Sequence, residues 1–339
     1  MFGNEKNNTT TLVEYHSVTV LKVVLLVLSS VSLLANLLLA SFITLKFKSI
    51  LKRKSNKFLF NLAISDACVS TTTVCFSASI ISEKIFDSDI IFHNKHKHWL
   101  ILIAAFAPIS ILNLMLLTID RLIAIKMPFF YADKFMNKHV YCFISISWIF
   151  AVVDILTFEF LIVYLEVSHE VFITFVQTCL ACFISVGFLT LSLSNIFIFI
   201  DARRQLRFIS TVTSDQLNQK YLLHAKECRL IRMTFGLAIT YLICWLPCFT
   251  ISIYFLYTKT FKFMYMIGVW IAAHMNHLLN PIIYVSVSYD IKADLRKYFF
   301  KAKINTPPFS FNNFTSDSFT LDSLNYQKSQ IQAISQIEK

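Results

Sequence analysis

The stretch "LLTIDRLIAIKMPFFY", residues 116–131, sets an acid and an arginine at the end of a long apolar run. No charged side chain occurs from residue 99 to 119; then Asp120 and Arg121 stand side by side, and Leu122, Ile123, Ala124 and Ile125 follow. About 20 apolar residues in a helix cross a hydrocarbon core of ~30 Å. The Asp-Arg pair therefore marks the place where a membrane-crossing helix meets water.

Six more runs can be read outward from it. Residues 23–45, 171–200, 233–258 and 263–289 also lack Asp, Glu, Lys and Arg. Residues 58–82 are interrupted by Asp66 alone, and residues 140–164 carry Asp154 and Glu159. The whole chain of 339 residues is 56% hydrophobic and 15% charged, whereas soluble domains carry about a quarter charged residues. Period-2 alternation is absent, which argues against a membrane β-barrel. The expectation is an all-α membrane protein, a bundle of seven transmembrane helices. Residues 1–17 read as an extracellular N-terminus and 18–288 as the seven-span domain. Residues 289–301, with Ile291, Leu295, Tyr298 and Phe299 opposite Lys292, Arg296 and Lys297, read as a short amphipathic eighth helix on the inner leaflet. Residues 302–339, rich in Ser, Thr, Asn and Gln, read as a disordered cytoplasmic tail.

The basic residues orient the bundle. With the N-terminus outside, 24 of the 31 Lys and Arg fall on the cytoplasmic side, as the positive-inside rule requires. The net charge of +11 is then a topology signal and a contact surface for anionic lipid. Asn7 and Asn8 head overlapping glycosylation sequons on the outer side. Asn313 heads another that would lie inside and stay unused. The polar first fifteen residues show no cleavable signal, so the first span is expected to act as an uncleaved anchor in the plasma membrane. The connection from Asp201 to about Lys226 is the longest and reads as a basic, polar loop.

Polar groups inside spans are expensive and face one another or a cavity. Asn36, Asp66, Ser110, Asn113, Asp154, Glu159, Asn195, His274, Asn276, His277 and Asn280 are those to explain. Taken singly, a Ser or Asn is explained by local helix packing. Ser110 lies eleven residues before Arg121, three turns or about 16 Å along one face. Asn276 and Asn280 share a face. An acid at mid-depth ringed by Ser and Asn oxygens suits a small hard cation.

Six motifs in order resemble the rhodopsin-like G-protein-coupled receptors, over residues 18–301. They are Asn36 in span 1, "NLAISDA" with Asp66 in span 2, and Asp120-Arg121 with the loop after span 3. Trp148 follows in span 4, "CWLP" from Cys244 to Pro247 in span 6, and "NPIIY" from Asn280 to Tyr284 in span 7. The resemblance implies a switch in which Arg121 pairs with Asp120 and with Glu227 on span 6, and whose release swings span 6 outward. Interfacial snorkelling of Arg121 is the plainer alternative. It also implies that Tyr284 rotates inward, and that Pro128, Phe129 and Tyr131 meet a heterotrimeric G protein. Pro247 and Pro281 would kink their helices by removing a backbone donor. Asp66, Ser110, Asn276 and Asn280 would hold an allosteric sodium ion under Trp245; no other cofactor is implied. Arrestin binding to the phosphorylated Ser/Thr-rich tail belongs to the same picture.

Departures narrow the branch. No Cys falls in the outer loops, and His96 stands where the family places the span-3 cysteine of its outer disulfide. Gly187 replaces the span-5 Pro and Asn195 the span-5 Tyr. The missing staple, the missing span-5 Pro and a very short second outer loop together resemble the melanocortin, cannabinoid, lysophospholipid and adenosine receptors, although Ser252 replaces the adenine-binding Asn. Opsins need a span-7 Lys, which is missing, and the span-3 Asp of amine receptors is Ile103 here. Phe76 and Leu100 replace the melanocortin-type acids.

An apolar wall including Trp99, Ile103 and Ala107, with Trp245 and Trp270 and with His274 to orient a polar head, favours a lipid or weakly polar small molecule. A peptide or amine anchored by Asp154 or Glu159 is the alternative. For Asp154 a helix-to-helix hydrogen bond competes with that role, and for Glu159 snorkelling to the outer interface does. A non-signalling decoy receptor fits the Asn195 departure. A transporter would want repeats or broken, Gly-rich helices, and the chain has four Gly. No nucleophile or metal motif of a membrane enzyme occurs, and no enzyme is expected.

Overall fold

The structure, a computed structural model, describes residues 2–45, 54–82, 96–133, 137–161, 165, 168–209, 217–258 and 263–287, with side chains over somewhat narrower stretches. The amphipathic segment 289–301, the tail 302–339, and the side chains of Asn7, Asn8, Pro128 and Glu227 lie outside the described residues.

Seven long helices follow the seven apolar runs: Phe2–Leu45, Lys54–Ser82, Lys97–Lys126, Asn137–Glu159, His169–Ile209, Leu217–Thr258 and Phe263–Val287. A short helix, Pro128–Asp133, follows the third. No strand occurs among the described residues. Spans 1 and 2, 5 and 6, and 6 and 7 pack together, span 7 closes against span 1, and span 3 packs against spans 2, 4, 5 and 6. Span 3 is therefore the central post, which explains why its polar residues meet partners from several sides.

The helices show two kinds of surface. Span 4 buries Val140, Ser147, Ala151 and Phe158, a narrow stripe of sevens and fours that matches one helix face. Ile149, Val152, Val153 and Leu156 are exposed, which is what a lipid-facing surface requires. Asp154 falls three residues after Ala151 and four before Phe158, on the inward side. Among the described residues, six helices are long and apolar enough to cross a membrane. The seventh, Phe263–Val287, is long enough, but His274, Asn276, His277 and Asn280 lower its hydropathy; all four are buried against other spans. Its polarity is turned inward.

Three readings from sequence change. The 201–226 connection is mostly helix, since span 5 runs to Ile209 and span 6 starts at Leu217; Arg and Lys are good helix formers and extend the spans into water. The helix of span 1 starts at Phe2, so Asn7 and Asn8 lie on it. Lys22, one of the basic residues counted outside, is 1% exposed and donates from Nζ to the Ile80 carbonyl at 3.4 Å. The apolar part of span 1 begins near His16, and so Lys22 lies within the packed helices.

Candidate functional site

At mid-depth the inward polar residues form a connected net. Asn61 Nδ2 donates to Asn113 Oδ1 at 2.6 Å, and Asn61 Oδ1 accepts the Trp148 indole N–H at 2.8 Å. Asn113 Nδ2 donates onward to Ser65 Oγ at 3.2 Å. Spans 2, 3 and 4 are thus stitched where no water competes, the condition under which buried polar groups must pair. Asn36 Nδ2 on span 1 donates to the His277 carbonyl on span 7 at 3.1 Å.

Asp66, 0% exposed, is the centre of the net. Its Oδ1 accepts the Ser110 hydroxyl and the His277 ring Nδ1–H, the latter at 2.8 Å. Its Oδ2 accepts Asn280 Nδ2 at 2.9 Å. Asn276 is buried beside this group, but Asp66 is not its hydrogen-bond partner; its Oδ1 has none among the described residues. Trp245 stands above, its ring 6.4 Å from that of His277 and nearly perpendicular to it.

At the cytoplasmic end, Arg121 Nη2 donates to Asp120 Oδ2 at 3.0 Å, and the Tyr131 hydroxyl donates to Asp120 Oδ1 at 2.9 Å. Tyr131 gets there because span 3 stops at Lys126 and a new helix starts with Pro128, whose missing N–H is harmless at a first helical position. Both carboxylate oxygens are used, and the pair is nearly closed to solvent, with 12% of the Arg121 side chain and 1% of Asp120 exposed. Phe129 next to it is 85% exposed, and Tyr284 is buried.

Toward the opposite end, spans 3 to 7 enclose a cavity of about 450 Å³. Ile103, Ala107, Asp154, Trp245, Trp270 and His274 line it, with Phe175, Phe183, Gln177 and Ser252. Trp99 packs instead on the neighbouring cluster around Phe76 and Ile103. Glu159 is hydrogen-bonded to His98 Nδ1 at 2.8 Å, away from the lining. Asp154 has no hydrogen bond or ion pair among the described residues. His274 Nδ1 lies 2.8 Å from the Trp270 carbonyl, which can only accept, so Nδ1 carries the proton and Nε2 is left an acceptor. That Nε2 has no partner among the described residues. Pro108, inside the helix of span 3, leaves the Ala104 carbonyl without its helical donor, and both residues line the cavity. The Trp245 indole N–H is a buried donor without a partner among the described residues.

Residues 35–284 match the family described as 7 transmembrane receptor (rhodopsin family). The chain belongs to this family. It is a G-protein-coupled receptor and a multi-pass membrane protein. Over 273 residues, 73% of this chain and 75% of the relative, it is 28% identical to human trace amine-associated receptor 9.

Within the receptor, three of the four residues expected to hold a cation, Asp66, Ser110 and Asn280, meet at one point; the fourth partner of the group is His277 instead of Asn276. His277 is one of two histidines in this span, and its residue type alone does not reveal such a bond. Its spacing supplied one clue, since His277 lies three residues before Asn280, on the same helix face. Asp120, Arg121 and Tyr131 come together, while the Glu227 side chain lies outside the described residues. Pro247 and Pro281 both lie inside continuous helices. At the missing outer disulfide, His96 is buried, with Nδ1 3.1 Å from Ser79 Oγ on span 2. The seven described cysteines are free. Asn195 donates to its own helix at Leu191, at 2.8 Å.

Proposed function

We propose that the receptor takes a small molecule with an apolar body and a protonated amine into the cavity between spans 3 and 7, and reports it to a heterotrimeric G protein. The observation that carries this reading is Asp154, an acid lining that cavity with no partner among the described residues. A charge at this depth is costly unless it is paired, and an ammonium group would pair it. The acceptor Nε2 of His274 favours a donating ligand for the same reason. The similarity to a receptor named for trace amines supports the class. Ile103, in place of the usual span-3 acid, moves the expected counter-charge to span 4. At the other end, release of Arg121 from Asp120, and from Glu227, would free span 6 to open a G-protein cavity. We place the receptor in the plasma membrane with its N-terminus outside.

The test is G-protein activation across panels of amines and neutral lipids, in wild type, Asp154→Asn and His274→Ala. Loss of a buried charge partner costs about 2–5 kcal/mol, so amine potency in Asp154→Asn should fall roughly 30-fold or more. The apolar lining favours a second reading, a neutral lipid headed toward His274. Under that reading Asp154→Asn is silent and His274→Ala is not.

A further inference from the structure

Asp66 is the acid expected to hold sodium, yet the residues around it do not fit that ion. Both carboxylate oxygens already face donors: the Ser110 hydroxyl, the His277 ring N–H at 2.8 Å and the Asn280 amide at 2.9 Å. A sodium site needs oxygen atoms turned toward the ion. Here a ring nitrogen, carrying its own hydrogen, lies against the carboxylate where the cation's charge partner should be free. The unpartnered oxygens on the residues around it, Asn36 Oδ1, Asn276 Oδ1 and Asn280 Oδ1, belong to neutral amides and cannot by themselves offset removing an ion from water.

We propose that His277 takes over the position of the sodium ion in this receptor, so that the Asp66 site is closed by a side chain and the protein is indifferent to sodium. The ring is held for this task from two directions. Asn36 on span 1 grips the His277 carbonyl at 3.1 Å, fixing the backbone of span 7, and Trp245 packs edge-on against the imidazole from span 6. His277 is 0% exposed and borders the cavity, so what holds the ring over Asp66 is its bond to the carboxylate and these two contacts. Where an exchangeable ion would bridge spans 2, 3 and 7, the bridge is covalently part of span 7. Its strength then follows His277 and not the salt outside the cell.

The test uses the purified full-length receptor in detergent, with melting temperature measured in sodium chloride and in choline chloride at matched ionic strength. Neither a ligand nor a G protein enters the measurement, so failure of the amine reading leaves it unaffected. Wild type should melt at the same temperature in both salts. His277→Ser removes the ring and frees the carboxylate, and should gain a rise of a few degrees specific to sodium. Asp66→Asn added to His277→Ser should abolish that rise. If His277→Ser does not fold, His277→Ala opens the same space and carries the same expectation. Sodium stabilisation of the wild type that Asp66→Asn removes would overturn the proposal. So would opened variants as indifferent to sodium as the wild type, since the ring would then not be what excludes the ion.

Discussion

Asp120 shows how much of the proposed switch rests on single atoms. Its two oxygens hold Arg121 and Tyr131 at 3.0 and 2.9 Å, so it fixes the arginine and docks the loop helix at once. Hydrogen bonds to charged groups contribute about 1.5–3 kcal/mol each. Asp120→Asn keeps the shape and removes the charge that restrains Arg121. It should raise basal signalling by roughly 5- to 30-fold in the active-to-resting ratio, the change that 1–2 kcal/mol brings. Tyr131→Phe leaves the charge in place and should give a smaller rise. Unchanged basal signalling in a well-expressed Asp120→Asn receptor would sink the idea that this pair restrains Arg121.

At the scale of the helix, the glycines sort by what a methyl group would meet. A Cβ on Gly187 would run into the Tyr241 hydroxyl, with Tyr241 Cζ at 2.8 Å and Ile111 Cγ2 at 3.2 Å. The absent side chain therefore admits Tyr241, whose hydroxyl donates to the Ile184 carbonyl on span 5 at 3.3 Å. This accounts for Gly187 in place of a proline: span 5 gives up its ring so that a span-6 tyrosine can dock. At Gly236 the added carbon would meet only Ile283, at 3.2 Å, and at Gly268 nothing within 4 Å. Overpacking costs about 1–3 kcal/mol, while Gly→Ala in an open helix position gains up to about 1 kcal/mol. The melting temperatures of the three alanine variants should rank Gly268→Ala highest, Gly236→Ala next and Gly187→Ala lowest. A Gly187→Ala receptor as stable as wild type would show that Tyr241 does not dock there.

For the whole molecule, the basic asymmetry makes a definite prediction of orientation. Glycosidase treatment should shift the mobility of the wild type and leave Asn7→Gln/Asn8→Gln unchanged. Glycan found on Asn313 would mean that the bundle sits the other way up.

The sequence by itself determined the seven helices, because a span must satisfy every backbone group internally and advertises this as an apolar run about 20 residues long with few or no charges. It also determined the family, since Asp66, Asp120-Arg121, Cys244 to Pro247 and Asn280 to Tyr284 carry their identity in order along the chain. Span 7 was legible by the same rule despite its four polar residues, because none of them is charged like Lys or Asp. Partners were not legible. That His277 rather than Asn276 reaches Asp66, that Glu159 pairs with His98 while Asp154 faces the cavity, and that Lys22 is buried, all depend on how helices rotate and on where their ends lie. Rotation and depth are set by packing against neighbours distant in sequence: Asp66 against His277, Asn36 against His277, and Glu159 against His98. Spacing along one helix gives the face; only the packed bundle decides what that face meets.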